Sequence, residues 1–337
     1  MKKILIATSA LVATAGIAHA EVSVSGQAIA GLIYNSEGVE KTKLLNKVNI
    51  EFNGSGETDG GLQFGFNTNH IIENNGLSVD NDDTTVWMSG AFGKLSFGAV
   101  AEADEVAGLS DIGWDGLDVD DVAEALVGDE LLDNGQAGKG LGHNVNYTYA
   151  TGPVTFSLSG RLATSHGTLA PGASDAESYA AGVKYSFGTG YVGLGYGSHD
   201  FKLLAASPVA AMDRAKVVSV FAGATFDAIK VAAMYSDASF KSVTGVKSGA
   251  DAYGLNASYT MDALTVSMGY SKANFDLATG RNDQKAFGIG AAYDLGGGAS
   301  VSGGIAQVES VGDENQGNRL LPKAKETRAD FGVTFKF

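Results

Sequence analysis

The stretch Thr327-Arg328-Ala329-Asp330-Phe331-Gly332-Val333-Thr334-Phe335-Lys336-Phe337 decides the fold. Ala329, Phe331, Val333, Phe335 and Phe337 share one parity, and Arg328, Asp330, Gly332, Thr334 and Lys336 share the other. Alternation with period two is the signature of a strand with two unlike faces. In a soluble sheet the apolar face covers a core. In a membrane barrel the apolar face meets lipid and the polar face lines water. Which of the two applies depends on how often the pattern recurs and how its repeats are joined.

It recurs along the whole chain. Segments near 22–34, 47–53, 62–67, 84–92, 94–101, 143–150, 153–163, 177–187, 190–201, 214–226, 229–237, 250–260, 263–274, 285–293 and 298–308 alternate in the same way, and 326–337 makes the sixteenth. In 214–226 the alternation is blurred by Val217, Val218, Val220 and Phe221. Short links rich in Gly, Asp and Pro lie near Gly54–Gly61, 92–94, 151–153, 188–190, 227–228, 261–262 and 294–298. Long links lie near 35–43, 70–83, 102–142, 164–176, 202–213, 238–249, 275–284 and 309–325, alternating with the short ones. That sorting of connections matches an outer-membrane barrel with short turns at one end and long loops at the other. Strands entering short turns finish on Phe92, Tyr149, Phe187, Phe226, Tyr259, Tyr293 and Phe337, the positions of an interfacial aromatic girdle. The expected fold is all-β, a 16-stranded antiparallel transmembrane β-barrel. Closure pairs the first strand with the last and leaves no unpaired edge in lipid. A barrel this wide holds water.

Composition agrees. The chain has 337 residues, 47 Gly, 4 Pro and no Cys, with formal net charge −15. The acidity argues against a nucleic-acid partner. Without cysteine there is no disulfide framework. Residues 1–20 read as a signal peptide: Lys2 and Lys3, an apolar run from Ile4 to Ile17, then Ala18-His19-Ala20 before Glu21. Removing Lys2 and Lys3 takes the charge from −15 to −17. Residues 21–337 form the barrel domain, and no later run is long and apolar enough to cross as a helix.

The Lys-Lys leader, the start Glu21-Val22-Ser23-Val24-Ser25-Gly26, the rhythm of strands and loops, and Phe337 at the end together resemble the general bacterial porins of Gram-negative bacteria. Among these the chain looks most like the short acidic porins of the Rhodobacter group. The resemblance covers the whole chain after residue 20. It implies a homotrimer in the outer membrane, in contact with lipid and lipopolysaccharide. It implies an inward-folded third loop as a constriction, and passive diffusion of small hydrophilic solutes. It also implies that Phe337 serves as an assembly signal.

The third long link, 102–142, is the expected constriction. It holds twelve acids between Glu102 and Asp133, and no Lys or Arg occurs from Leu95 to Gly138. The candidate constriction residues are Asp111, Asp115, Asp118, Asp120, Asp121, Glu124, Asp129 and Glu130. Val119, Val122, Ala123, Leu126 and Leu131 give an apolar stripe, and the spacing predicts a short helix over Val119–Leu132 packed against the wall. Crowded carboxylates suit Ca²⁺, whose ligands are not assigned; no cofactor is required. Parity turns Lys47, Arg161, Lys184 and Arg328 inward as a basic pore wall, outnumbered by the acids, so weak cation preference is expected. The alternative is a solute-specific channel; a structural or adhesive barrel is a further one. An enzyme is not expected. His70, His143, His166 and His199 lie in or beside loops with no metal-type spacing, and no G-x-S-x-G elbow occurs.

Overall fold

The computed structural model describes residues 21–73, 78–80, 83–111, 119–128, 131, 142–162, 174–203, 212–277, 280–313 and 318–337. The signal peptide expected at 1–20 lies outside them. The described chain is one antiparallel sheet of β1 (Glu21–Asn35), β2 (Thr42–Glu57), β3 (Gln63–Glu73), β4 (Ser78–Asp80), β5 (Thr84–Gly90), β6 (Gly93–Gly98), β7 (Val145–Thr151), β8 (Val154–Arg161), β9 (Ser174–Phe187), β10 (Gly190–Leu203), β11 (Met212–Phe226), β12 (Ile229–Ser242), β13 (Lys247–Met261), β14 (Leu264–Leu277), β15 (Gly280–Gly296), β16 (Ala299–Asp313) and β17 (Asn318–Lys336). β4 and β5 both pair with β3, one above the other, at Ile71↔Asp80 and Thr68↔Thr84. They therefore occupy one place in the ring, and sixteen strands go round it. The ring closes where β1 pairs with β17, from Gln27↔Lys336 to Asn35↔Arg328. Phe337 completes that seam: its N–H donates to Gly26 O at 3.0 Å, and Gly26 N–H donates to Phe337 O at 2.9 Å.

Five short turns have two residues, seen in the registers Gly90↔Gly93, Thr151↔Val154, Phe187↔Gly190, Phe226↔Ile229 and Met261↔Leu264. A two-residue hairpin needs positive φ in the turn to follow the strand twist. Asp227 and Asp262 supply it at φ 50° and 51°, a conformation Asp tolerates better than most residues.

The two faces separate as the alternation requires. Val24, Leu32, Phe66, Val86, Leu158, Leu194, Leu255, Met268, Ile289 and Phe331 are exposed on the outside. Phe92, Tyr149, Phe187, Phe226, Tyr259, Tyr293 and Phe337 are also exposed, beside the short turns. The blurred segment 214–226 resolves into Val218 and Val220 outward and Val217 and Phe221 buried inward.

Several expected long links prove shorter. The 238–249 link is a hairpin in which β12 and β13 leave only Val243–Val246 between them, with Ser242 N–H donating to Val246 O at 2.9 Å. The 309–325 link is mostly strand, with Val311 paired to Lys323. Near that rim polar pairs such as Arg214–Asp200 and Lys241–Asp213 join neighbouring strands. Where both faces are polar, the period-two signal fades while the backbone ladder continues. The wall is uneven: β5 to β8 have 7, 6, 7 and 8 residues, whereas β9 to β17 have 14 to 19.

Candidate functional site

The link between β6 and β7 turns into the lumen at its start. Gly98 ends β6 at φ 108°, and a Cβ there would stand 1.9 Å from Thr84 O. The chain then crosses the inner face of β8, β9 and β10. A 3-10 turn at Ala103–Glu105 lies on glycines: a Cβ at Gly182 would meet Ala103 O at 1.9 Å, and one at Gly195 would meet Asp104 O at 2.0 Å. Two side chains of the wall and of β7 hold the backbone: Ser159 Oγ accepts Ala103 N–H at 2.7 Å, and Asn146 Nδ2 donates to Ala101 O at 2.9 Å.

The loop then runs on to β12 through β16. Asn256 Nδ2 donates to Ser110 O at 2.7 Å, Ser271 Oγ donates to Val122 O at 2.6 Å, and Gly128 N–H donates to Ser236 Oγ at 2.9 Å. Gly254, Gly269 and Gly304 continue the trough, with Cβ positions 2.3 Å from Ala123 O, 2.8 Å from Val122 and 2.7 Å from Val119. Leu109, Ala123, Leu126, Val127 and Leu131 pack with Val217, Phe221, Met234, Phe240 and Phe275 in an apolar floor inside the lumen. Val119 and Val122 pack with Ala286, Ala306 and Val308. Burying side chains of this size contributes about 1.5–3 kcal/mol each. The loop is therefore fastened by sheet-side hydrogen bonds and by a core of its own.

A family model described as Gram-negative porin matches residues 7–313. A porin of Rhodobacter capsulatus is 33% identical over 342 residues, 94% of this chain and all of the relative. The chain belongs to the Gram-negative porin family. Among solved structures, a porin refined at 1.8 Å is 29% identical with TM-score 0.65, covering 94% of this porin and 100% of that chain. An anion-selective porin from Comamonas acidovorans shares the fold at 16% identity and TM-score 0.72, covering 95% and 100%. This porin is accordingly a multi-pass β-barrel of the outer membrane.

The porin distributes its expected site residues unevenly. Asp111 and Asp121 are exposed and Glu124 is half-buried. Asp120 begins a 3-10 turn, Asp120–Ala123. Asp115, Asp118, Asp129 and Glu130 lie outside the described residues. The apolar stripe is fully packed, but within the described residues the helix expected over Val119–Leu132 is broken: that 3-10 turn and the turn after it come first, and Leu131, beyond Gly128, is helical again. The wall competes for its backbone: Val122 O accepts from Ser271, Gly128 N–H goes to Ser236, and Gly128 takes φ 66°, which ends a right-handed helix.

The basic residues do not form one facing wall. Lys47, on β2, is half-buried and pairs in register with Glu73. Arg328, on β17, is 8% exposed and is clasped by Glu326 through Nε at 2.9 Å and through a terminal nitrogen at 3.3 Å. Lys184 is on β9, beneath the loop's path, in register with Gly193. Arg161 donates to Gly142 O at 3.3 Å, at the loop's returning foot.

One grouping was not expected from spacing. Glu102 at the first foot, His143 at the second and His199 on β10 converge. His143 Nε2 and His199 Nε2 lie 3.7 and 3.8 Å from Glu102 Oε2, and the two rings stack with centroids 6.0 Å apart. Burial, then the neighbouring His199 and Arg161, pull His143 down to about 4, so it is neutral at neutral pH.

Proposed function

We propose that this porin is a general diffusion channel, passing small hydrophilic solutes and ions through a water-filled lumen with a weak preference for cations. The observation that carries the reading is the acidic loop docked across the inner wall, with Asp121 open to water while Arg328 is occupied by Glu326. A pore whose carboxylates outnumber its uncommitted cations attracts cations and repels anions. The test is to neutralise Asp120, Asp121 and Glu124 together and read the reversal potential in a salt gradient. Cation preference falls toward zero while the heat-shifted gel mobility of the folded barrel is kept. An unchanged reversal potential would show that these acids do not face the ion path.

The mature protein begins at Glu21. The loop carboxylates are candidates for Ca²⁺. The channel is not a catalyst. The alternative of a solute-specific channel has one feature in its favour, Lys94 lying 4.9 Å over the inward Trp87 ring. Block of the current by one solute, without block by others of its size, would select it.

The proposed assembly is a homotrimer. Support comes from the low wall. A strand of 7 residues is about 24 Å long and rises only ~18 Å when tilted by ~40°, short of an apolar band of ≈25 Å. Yet β5 to β8 carry exposed outward apolar residues: Val86, Met88, Phe97, Phe156 and Leu158. A neighbouring subunit would cover what lipid fits poorly. Phe156→Arg with Leu158→Arg will convert trimers to folded monomers on a native gel. Trimers that persist would place the interface elsewhere.

A further inference from the structure

We propose that Glu102, His143 and His199 form a binding site for a divalent transition-metal ion of the Zn²⁺ class, which staples both feet of the constriction loop to the barrel wall. The three residues come from distant parts of the chain, 41 and 56 positions apart, and only the fold brings them together. Their ligand atoms all lie within 4.8 Å of one another. The side chains of His143 and His199 are 0% and 4% exposed and that of Glu102 is 11% exposed.

The donor set selects the metal. Two imidazoles and one carboxylate with a fourth position left for water is a common arrangement for zinc, and unsuited to Ca²⁺ or Mg²⁺, which take oxygen ligands. Zinc–ligand bonds of about 2.0–2.1 Å put tetrahedral ligand atoms ~3.3 Å apart. The two contacts at 3.7 and 3.8 Å need to close by about half an ångström, within the reach of side-chain rotation.

The surroundings orient the ligands. His143 Nδ1 lies 2.6 Å from Ser159 Oγ. That oxygen already accepts Ala103 N–H, one residue from Glu102. When the hydroxyl also accepts the Nδ1 proton, Nε2 carries the lone pair toward Glu102. A metal-ligating histidine characteristically has such a partner on its other nitrogen, and it sets the tautomer. Beside His143 a pocket of roughly 600 Å³, lined by Gly98, Ala101, Gly142, Asn144 and Arg161 among others, gives an ion a way in. The Arg161 charge in that pocket opposes cation entry. It is countered by Glu102 itself and by Asp104, whose carboxylate lies over Gly197, two residues before His199 on β10.

The experiment uses untagged, assembled protein in detergent, stripped with EDTA and dialysed, then titrated with Co²⁺. The expected result is one Co²⁺ per chain, with the strong visible absorption of tetrahedral cobalt, displaced by an equal amount of Zn²⁺ and not by Ca²⁺. His199→Ala and Glu102→Gln each weaken binding by about tenfold or more. His70→Ala, on β3, leaves it unchanged. Only weak octahedral absorption, equal in wild type and variants, would mean adventitious ions and would overturn the site. If a variant fails to fold, the wild type still decides. In the Zn²⁺-loaded wild type, X-ray absorption shows two imidazole ligands and light-atom bonds of about 2.0–2.1 Å. A zinc shell of oxygen atoms with no imidazole would overturn the proposal.

Discussion

A porin carrying Gly182→Val and Gly195→Val will conduct in larger steps than the wild type. Both glycines sit under the first foot of the loop between β6 and β7, where a Cβ would come within 1.9 Å of Ala103 O and 2.0 Å of Asp104 O. Backbone cannot turn aside as a flexible side chain can, so either the loop lifts or the strands part. The strands are held by fourteen register pairs between β9 and β10, from Phe187↔Gly190 to Ser174↔Leu203. The loop's first foot is held there chiefly by Ser159 and a few side chains, so the loop gives way. Overpacking costs about 1–3 kcal/mol at each site, enough together to outweigh one or two local contacts. The measurement is single-channel conductance in a planar bilayer, with heat-shifted mobility as the check that the barrel has formed. Gly142→Ala is the control, because a Cβ there meets nothing within 4 Å. Conductance that matches wild type in the double variant would mean the loop does not set the narrowest section.

The second expected result concerns the seam. Phe337→Ala will lower the yield of assembled protein in cells far more than it alters the conductance of the channels that do form. Phe337 gives two backbone hydrogen bonds to Gly26, and its ring stands 3.2 Å from the position a Gly26 Cβ would take. Alanine keeps the hydrogen bonds and discards the ring, which is exposed on the outer face and does not line the pore. Removing the residue altogether also opens two backbone pairs, which cost several kcal/mol each if left in lipid. Refolding into detergent separates the causes. Normal refolding of Phe337→Ala in the absence of cellular machinery assigns the defect to recognition during assembly. Slow refolding assigns it to closure of the seam. Full yield in cells would remove Phe337 from both roles.

The barrel was legible because lipid and water impose a strict rule on every second residue. The final strand's Phe331, Val333 and Phe335 alternate with Asp330, Gly332 and Thr334, and the structure keeps the two sets on opposite faces. The rule weakened where lipid ends: near Asp213, Lys241 and Lys247 nothing distinguishes the faces, and the strands ran on unseen. In the constriction loop the stripe of Val119, Val122, Ala123, Leu126 and Leu131 was readable as a buried face. Its partner was not, because glycine at 182, 195, 254, 269 and 304 carries no sign of what lies on it. The pairing of Arg328 with Glu326 follows from their spacing of two, which puts neighbours on one face of a strand; counting basic residues without their same-face neighbours overlooked it. Glu102, His143 and His199 left no local signal, since a grouping assembled from both ends of a loop and one distant strand has no spacing to read.

The path of the loop between β6 and β7 also orders events in time. Its fastenings are remote in sequence: Val122 to Ser271 spans 149 positions, Ser110 to Asn256 spans 146, and Gly128 to Ser236 spans 108. Contacts of such separation form late, after the intervening chain has found its own pairings. The trough does not exist until β8 to β16 stand side by side, so the loop has nowhere to dock before then. The newborn cylinder therefore has a lumen that the loop does not yet cross, and docking is a finishing step. On the proposal that the docked loop sets the bore, a half-matured molecule leaks, and the speed of that last docking sets for how long.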